Sequence, residues 1–305
     1  MLLRELEYLV ALARERHFTR AAAACHVSQP SLSAGIRRLE KDLDVTLVRR
    51  GQRFAGLTAE GERVLLWAHR ILADRDALRD DLVQMQTGLS GVLHVGAIPT
   101  ALPTASLLTA PFCERHPHAR VGLVSLSSRE IHRRLGDFEI DVALTYLDEE
   151  DHARALPLYE ERYLLLTPDD GELAGRALAR WTEVAALPLC LLGGQMRNRR
   201  ILDDLFRAVG AAVVPAVETD SVSALFAHVA TRRWSSVIAH AWLTMFGVPD
   251  GLRVVRMEPP PRPPRIGLVT ADRSPEPVLV RAMLHVARGL DIRDALDQNL
   301  RRHLR

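Results

Sequence analysis

The chain has few cysteines and no long apolar run. Three cysteines lie far apart and form no CxxC pair: Cys25, Cys113 and Cys190. This spacing argues against a disulfide framework or a zinc site and predicts reduced thiols. No run of about 18 uncharged apolar residues occurs, so we expect no membrane span. Arg4, Glu5 and Glu7 interrupt the pattern of a signal peptide, and we therefore expect a cytoplasmic protein.

Catalytic and cofactor motifs are also missing. The sequence contains no GxSxG, HExxH, P-loop or GxGxxG pattern. The twelve histidines are scattered, and His116 and His118 have no further ligand at metal-binding spacing. We expect no catalytic residue, no metal site and no cofactor. An enzyme and an exported solute-binding protein remain the alternative hypotheses.

Basic charge is concentrated in the N-terminal part of the chain. Residues 1–58 contain ten Arg and Lys against six Asp and Glu, a balance of +4, whereas the remainder contains thirty against thirty-two, a balance of −2. This distribution suits contact with phosphates. Lys41 is the only lysine, and the preference for arginine and alanine is typical of a GC-rich bacterial genome.

The segment FTRAAAACHVSQPSLSAGIRRLE, from Phe18 to Glu40, predicts two short helices joined by a tight turn. Thr19 is the predicted N-cap of the first helix and Ser28 of the second, with Pro30 in the first turn of the latter. A preceding helix is predicted from apolar residues at helical spacing, namely Leu3, Leu6, Leu9, Val10 and Ala13. This is the layout of a helix-turn-helix, whose second helix enters the major groove of DNA.

The predicted DNA contacts lie opposite the buried stripe of that second helix, which is formed by Leu32, Ile36 and Leu39. Gln29 can reach a base edge, and Pro30 can pack on a thymine methyl. Ser28, Thr19 and the first-turn amides are suited to phosphate oxygens. Ser31, Ser33 and Arg37 complete the predicted face. A solvated polar face on an ordinary helix bundle is the alternative.

Residues 45–58, VTLVRRGQRFAGLT, predict a β-hairpin wing. Its tip carries three further candidate DNA contacts, Arg49, Arg50 and Arg53, since arginine is favoured in the minor groove. A solvated cluster of charges is the alternative.

A long helix is predicted from Ala59 to Gln86, with apolar residues that repeat every seven positions. This pattern indicates a coiled-coil seam and a dimer, because so narrow a stripe needs a partner helix. Packing on the chain's own C-terminal domain is the alternative. The predicted dimerisation residues are Val64, Ile71, Leu78, Leu82 and Met85.

Residues 92–300 alternate between strand and helix patterns, which predicts mainly parallel sheets with covering helices. Stretches around Thr167-Pro168 and Pro259–Pro264 are the predicted hinges between two lobes. Ligands in such folds bind where strands end and helices begin, and hydroxyls and amides there suit an anion such as a carboxylate. The candidate effector contacts are Thr100, Ser127, Ser128, Thr145, Gln195, Met196, Thr219 and Ser221. Helix capping is the alternative role for each Ser and Thr.

The chain resembles the LysR-type transcriptional regulators. The resemblance rests on FTRAAAACHVSQPSLSAGIRRLEKDLDVTLVRR, LTAEGE and the long helix, and continues in GVLHVGAIPTALPTASL, LGDFEIDVALTY and ETDSVSALFAHVA. It implies effector contacts at Thr100, Ser127 and near Gln195. Two departures stand out: Asp44 occupies a position where such proteins usually have glycine, and residues 232–236, RRWSS, replace a Gly-x-Gly turn near the expected cleft.

The resemblance implies an α/β protein with an N-terminal winged helix-turn-helix, a long linker helix and a two-lobed periplasmic-binding-protein-like (type 2) effector domain. We place these parts at residues 1–58, 59–88 and 89–305, with lobe I at about 89–165 and 267–305 and lobe II at about 166–266. The expected partners are double-stranded promoter DNA, a small-molecule effector and further copies of the chain. The residues themselves predict a dimer, whereas the resemblance implies a dimer of dimers. The effector is expected to alter how promoter DNA is bound and bent.

Overall fold

The structure is a computed structural model, and it describes residues 2–49, 54–87, 89–147 and 155–304. Side chains are not described at positions 80, 81 and 83–87. The chain divides into two compact units, one of Met1–Gly88 with Gly136–Glu139 and the other of Leu89–Leu135 with Ile140–Arg305. None of the helices within these described ranges has the length and apolarity needed to cross a membrane.

The first unit is helical. Its helices are α1 (Leu3–Glu15), α2 (Phe18–Ala24), α3 (Gln29–Leu43) and α4 (Ala59–Thr87). The predicted stripe of Leu32, Ile36 and Leu39 on α3 is buried, as expected from its spacing. Helices α1 and α3 approach closely at Gly35, where a Cβ atom would lie 2.5 Å from Cδ2 of Tyr8. A side chain at position 35 would therefore require the Tyr8 ring, or the helix that carries it, to move.

The cap predicted for α2 was wrong. Thr19 lies inside the helix, and His17 is the N-cap, with its Nδ1 accepting a hydrogen bond of 3.2 Å from the Thr19 amide. Histidine is not a usual capping residue, so propensity favoured the neighbouring threonine. The cap predicted for α3 is confirmed, because Ser28 Oγ accepts from the Ser31 amide.

The second unit contains two larger sheets. The first has the order β2-β1-β3-β11-β4. Its strands are β1 (Gly91–Ala97), β2 (Ala119–Ser125), β3 (Val142–Tyr146), β4 (Ala155–Glu160) and β11 (Arg265–Thr270). Four helices belong to this part of the chain: α5 (Leu102–Arg115), α6 (Ser128–Gly136), α11 (Val278–Arg288) and α12 (Ile292–His303). We call this part lobe I.

Lobe II contains the second sheet, with the order β6-β10-β5-β9, and a separate parallel pair β7-β8. The strands are β5 (Tyr163–Pro168), β6 (Leu178–Ala179), β7 (Cys190–Leu192), β8 (Val217–Thr219), β9 (Ser236–Ala239) and β10 (Leu252–Met257). The helices are α7 (Trp181–Val184), α8 (Arg197–Ala208), α9 (Val222–Val229), a 3₁₀ helix (His240–Trp242) and α10 (Leu243–Phe246).

The prediction of mainly parallel sheets was wrong. Strand β1 runs parallel to β2 and β3, but β11 is antiparallel to both of its neighbours. In lobe II, β5 is antiparallel to β9 and β10. The reason is topological, because β11 returns from lobe II and enters the first sheet against the direction of β3.

The chain crosses between the lobes twice. The first crossing lies between β4 and β5, at Glu161 and Arg162, and the second lies between β10 and β11, over 258–264. The second agrees with the predicted hinge at Pro259–Pro264. The hinge predicted at Thr167-Pro168 was wrong, because those residues end β5 and pair with β10. A main-chain hydrogen bond of 2.7 Å from Glu161 N to Pro264 O joins the two crossings.

Candidate functional site

The first turn of α3 presents a polar surface. Gln29, Pro30 and Ser31 are exposed, directly after the Ser28 cap. The Gln29 side chain donates from Nε2 to Ser33 Oγ over 3.3 Å, which holds it along the helix. One turn further on, Arg37 is exposed while Ser33 is half-buried. The predicted contact face of α3 is therefore continuous and accessible.

The structure describes the base of the predicted wing, where the two ends of the hairpin pair. Val48 and Leu57 form an antiparallel bridge, and the Arg49 amide donates to Gly56 O over 3.0 Å. The Arg49 side chain is exposed. The other two predicted wing contacts, Arg50 and Arg53, lie outside the described residues.

Helix α4 uses its predicted seam in two ways. Val64 and Ile71 are half-buried and pack against the core formed by α1, α2 and α3. Further along, Leu78 and Leu82 are 60% and 53% exposed. The side chain of Met85 lies outside the described residues. The start of the seam therefore stabilises the first unit, and the later leucines leave an apolar surface.

A cavity of about 440 Å³ opens between the two lobes of the second unit. Its walls come from the ends of β1, β2 and β3 and from the starts of α6 and α8. Five of the eight predicted effector contacts line it: Thr100, Ser127, Ser128, Gln195 and Met196. The other lining residues are Ile98, Pro99, Arg129, Tyr146, Arg197, Asn198 and Arg200.

The remaining three predicted contacts lie outside this lining. Thr145 is buried in β3, where the alternation of side chains turns it away from the side occupied by Tyr146. Thr219 Oγ1 accepts from the Ser221 amide, and Ser221 Oγ accepts from the Ala224 amide at the start of α9. The two hydroxyls therefore serve the local chain, as the capping alternative proposed.

The cavity wall is positively charged. Arg129, Arg197 and Arg200 line it, and no carboxylate does so among the described residues. The Arg197 guanidinium lies 5.3 Å from the centre of the Tyr146 ring, so a cation–π contact holds it over the wall. The sequence signal for these arginines was present, but their helix could equally have exposed them to solvent.

The start of α8 faces the cavity without a side-chain cap. Met196 is its N-cap residue and provides no capping hydrogen bond. Arg199 is buried and anchors this end of the helix through bonds of 2.8 Å to Asp203 Oδ1 and to Glu218 Oε1 and one of 2.9 Å to Leu192 O. A fixed helix start that lacks a side-chain cap favours an anion, because the positive end of the helix dipole lies there.

A buried hydrogen-bond network lies behind the wall, and no motif or spacing in the sequence predicts it. Tyr146 donates from its hydroxyl to Glu161 Oε2 over 2.7 Å, and Asn198 Nδ2 donates to the same hydroxyl over 3.1 Å. Burial raises the pKa of Glu161 to about 7, against the lowering effect of the Tyr146 hydrogen bond. These hydrogen bonds connect β3, the first crossing between the lobes and α8.

Two family models match the chain. The model described as "Bacterial regulatory helix-turn-helix protein, lysR family" matches residues 3–62, and the model "LysR substrate binding domain" matches residues 86–290, well over half of the chain. The chain belongs to the LysR family. The helix-turn-helix model covers α1 to α3 and the segment predicted as the wing. The substrate-binding model covers every residue that lines the cavity.

Curated relatives agree with the LysR assignment. The chain is 34% identical over 194 residues to the DNA-binding transcriptional dual regulator OxyR of Escherichia coli K12, an alignment that covers 63% of this chain and 64% of that protein. It is 35% identical over 236 residues to the SDS degradation transcriptional activation protein of a Pseudomonas species, covering 75% of this chain and 76% of the relative.

Solved structures of LysR proteins share the fold. A full-length OxyR variant from Pseudomonas aeruginosa superposes with a TM-score of 0.72 at 26% identity, covering 94% of this chain and 98% of that one. Full-length CbnR in complex with its target DNA gives a TM-score of 0.67 at 22% identity, covering 95% of this chain and 99% of that one.

Both departures from the usual LysR pattern include a residue with the backbone conformation that glycine adopts most easily. Asp44 ends α3 with a φ of 53°, and Arg232 has a φ of 61°, both in the left-handed region that glycine normally occupies. Arg232 is held by ion pairs of 2.8 Å to Asp169 and 3.0 Å to Asp170. Residues 232–236 do not line the cavity, so this replacement leaves its wall intact.

Proposed function

We propose that this LysR protein is a transcriptional regulator that binds double-stranded promoter DNA and responds to a small anionic effector. The observation that carries the proposal is a cavity with three arginines and an uncapped helix start, in a chain that also presents the exposed first turn of α3. The DNA complex described for CbnR, which shares this fold, supports the DNA partner.

DNA reading is assigned to α3 and the wing. Gln29 pairs with adenine at a base edge, and Pro30 packs against a thymine methyl. Ser28, Ser31 and Ser33 act with Arg37 on phosphates and neighbouring groups, and Thr19 contributes from α2. Arg49, together with Arg50 and Arg53, extends the contact to the minor groove or backbone. The described members of this set are exposed, except for the half-buried Ser33, and their exposure allows such contact.

A gel-shift assay on the DNA upstream of its own gene tests this assignment. We expect a specific complex that survives competition with random DNA at moderate salt. Because phosphate contacts weaken with salt, the same assay at low salt separates weak binding from none. Failure to bind that DNA under both conditions would remove the regulator proposal.

We infer an anionic effector because the cavity wall carries positive charge. Arg129, Arg197 and Arg200 approach the cavity from both lobes, and the start of α8 adds the positive end of its dipole. Charge-assisted hydrogen bonds to guanidinium groups are among the stronger contacts that proteins offer. Thr100 and Ser127 with Ser128, and Gln195 with Met196, supply the surrounding surface.

Thermal-shift measurements with matched ligands test the charge. We expect benzoate and succinate to raise the melting temperature more than benzamide and succinamide, which have similar shapes without the charge. Arg200→Gln should reduce the shift, whereas Arg207→Gln should not, because Arg207 lies further along α8 and pairs with Asp204. Equal shifts with acids and amides would contradict an anionic effector.

Several relatives are named as hydrogen peroxide-inducible genes activators, but oxidation of a thiol is not included in the proposal for this chain. None of the cavity-lining residues in the described chain is a cysteine. Burial in β7 raises the pKa of Cys190 to about 11, and burial likewise raises the pKa of Cys25. Protonated thiols react slowly, so these two positions do not favour oxidation.

We further propose self-association through α4. The exposed Leu78 and Leu82 lie four residues apart on one helix face, with Met85 predicted to continue it. Such a surface is unfavourable in water and suits a second copy of the chain. Light scattering of Leu78→Glu with Leu82→Glu should show loss of the dimer, and an unchanged mass would contradict the assignment.

The remaining parts of the proposal follow from this role. The chain is a regulator and not an enzyme, and it acts in the cytoplasm, where promoter DNA is found. We assign residues 1–58 to DNA binding, 59–88 to the linker helix and 89–305 to effector binding. A dimer of dimers is the assembly that we propose, and the mass of the unmodified chain tests it.

A further inference from the structure

Glu161 occupies an unusual place in the second unit. It is fully buried, and it lies at the first crossing between the lobes. Its amide donates to Pro264 O over 2.7 Å, which ties it to the second crossing. Its side chain reaches Tyr146, which lines the cavity. Glu161 therefore contacts the second crossing through its amide and the cavity wall through its carboxyl group, while it belongs to the first crossing itself.

The carboxyl group has one hydrogen bond of good geometry, and the nearby Tyr163 and Asn198 side chains also lower its pKa, although less than burial raises it. Oε2 accepts from the Tyr146 hydroxyl, but Oε1 has no hydrogen bond of good geometry among the described residues. A buried carboxylate with one unsatisfied oxygen is costly, whereas the protonated acid carries no charge. Burial raises the pKa of Glu161 to about 7, so both forms are accessible near neutral pH.

The titratable groups that face the Glu161 carboxyl group do not supply a positive charge to balance it. Tyr146 faces it from β3, Tyr159 from β4 and Tyr163 from β5. Burial raises the pKa of each phenol, so all three stay neutral at physiological pH. Asn198 contributes a neutral amide from α8.

His240 adds no charge to this environment either. Its ring packs against Tyr159 at 5.8 Å, and its Nδ1 accepts from the Arg162 amide over 3.1 Å. Burial lowers the pKa of His240 to about 4, so the ring is neutral at physiological pH. The neighbouring Arg162 guanidinium is half exposed and pairs with Asp297.

We propose that the cavity binds its anion together with a proton, which is held on Glu161. The inference rests on the proposed anionic effector, and it adds a coupling between the binding of that effector and the binding of a proton. An anion in the cavity lies across the Tyr146 and Asn198 side chains from the carboxyl group, and two negative charges at that separation repel each other. Protonation of Glu161 removes the repulsion, so anion binding and proton uptake favour each other.

The size of the linkage follows from the geometry. A unit charge several ångströms away, in surroundings of intermediate polarity, shifts a carboxyl pKa by about one unit. We therefore expect benzoate to bind about tenfold more tightly at pH 6 than at pH 8.5. Proton uptake should be greatest between these limits and should stay below one proton for each benzoate bound.

Isothermal titration calorimetry of the full chain with benzoate tests the inference. Titrations at pH 7.2 in two buffers with different ionisation enthalpies give the number of protons taken up. Benzoate is fully ionised throughout this range, so its own titration does not contribute. The result expected for the unmodified chain is uptake of a fraction of a proton, with an affinity that falls as the pH rises.

Two variants locate the proton. Glu161→Gln keeps the size of the side chain without the titration, and it should bind benzoate with an affinity that no longer depends on pH and with no proton uptake. Glu160→Gln is the matched control, because Glu160 is the adjacent carboxylate and is exposed. That variant should behave like the unmodified chain.

The outcomes separate the two levels of the proposal. Benzoate binding with equal affinity at pH 6 and pH 8.5 and no proton uptake would overturn the linkage and leave the anionic effector standing. Proton uptake that persists in Glu161→Gln would also overturn it, because the proton would then bind elsewhere. Absence of benzoate binding at every pH would count against the anionic site and the linkage together.

Discussion

The contact face of α3 and the wall of the sensor cavity are both polar, but they are assembled differently. The α3 face comes from one continuous helix, in which a Ser28 cap and a buried Leu39 stripe decide which side chains are exposed. The cavity wall comes from separate strands and helices on two lobes. Short-range periodicity therefore determines the first surface, whereas the second depends on how distant segments meet.

The difference has a consequence for charge. On α3, Gln29 and Arg37 face solvent, where their polar groups cost little to maintain. Behind the cavity wall, Glu161 and Asn198 are buried, and each has one oxygen without a hydrogen-bond partner among the described residues. Buried groups of this kind respond strongly to a nearby charge. The exposed α3 face is thus suited to the steady contact with DNA that we propose, and the cavity is suited to a change of state on binding.

The largest expected effect is on the packing that sets the α3 face. Leu39→Ala removes a fully buried side chain and should destabilise the first unit by about 2–5 kcal/mol. Arg37→Ala on the same helix removes no core contact and is the control for the unfolding measurement. Thermal unfolding followed by circular dichroism, together with gel shifts, measures both. DNA binding by Leu39→Ala at unmodified affinity would show that the face does not depend on its stripe.

The buried acid of the sensor gives the next effect. The pKa of Glu161 is about 7 in the folded chain, against an ordinary 4.5 in the unfolded one. The folded state therefore binds the proton more tightly, and stability should fall as pH rises from about 4.5 to about 7. The loss is about 3 kcal/mol at most. Glu161→Gln should remove this fall, and urea unfolding at pH 5 and pH 8 checks it.

A smaller effect should distinguish side chains that contact bases from side chains that contact phosphates in the proposed DNA interface. Gln29→Ala should cost about 1–3 kcal/mol of discrimination between specific and random DNA. Arg49→Ala should weaken both equally and reduce the salt slope by about one. Binding measured at several salt concentrations distinguishes the two. Equal loss on both DNAs for Gln29→Ala would place that side chain on the backbone instead.

The smallest effect concerns a hydroxyl that the sequence could not assign. Ser221 caps α9 and does not line the cavity, so Ser221→Ala should cost about 1 kcal/mol of stability and leave benzoate affinity unchanged. Thr100→Val, at a buried lining position, should lower that affinity. A loss of benzoate binding in Ser221→Ala would extend the site beyond the cavity described here.

Much of the fold could be predicted because its signals are local. The Ser28 cap, the stripe on α3 and the bounds of β3 and β9 follow from spacing and residue type. The cap of α2 could not be predicted, because His17 took a role for which Thr19 has the higher propensity. The first hinge was also misplaced, since proline marks a change of direction without saying which sheet the strand joins.

The sequence alone determined the family, and it predicted the helix-turn-helix and the general place of the effector site, because each of these signals depends on neighbours along the chain. Only the tertiary structure decided which hydroxyls face the cavity and which cap helices. It also placed the Glu161 side chain beside the Tyr146 hydroxyl, although β4 lies between these two residues in the sequence. The physical reason is that burial and charge repulsion depend on distances between residues that are far apart in the sequence, and only the fold sets those distances.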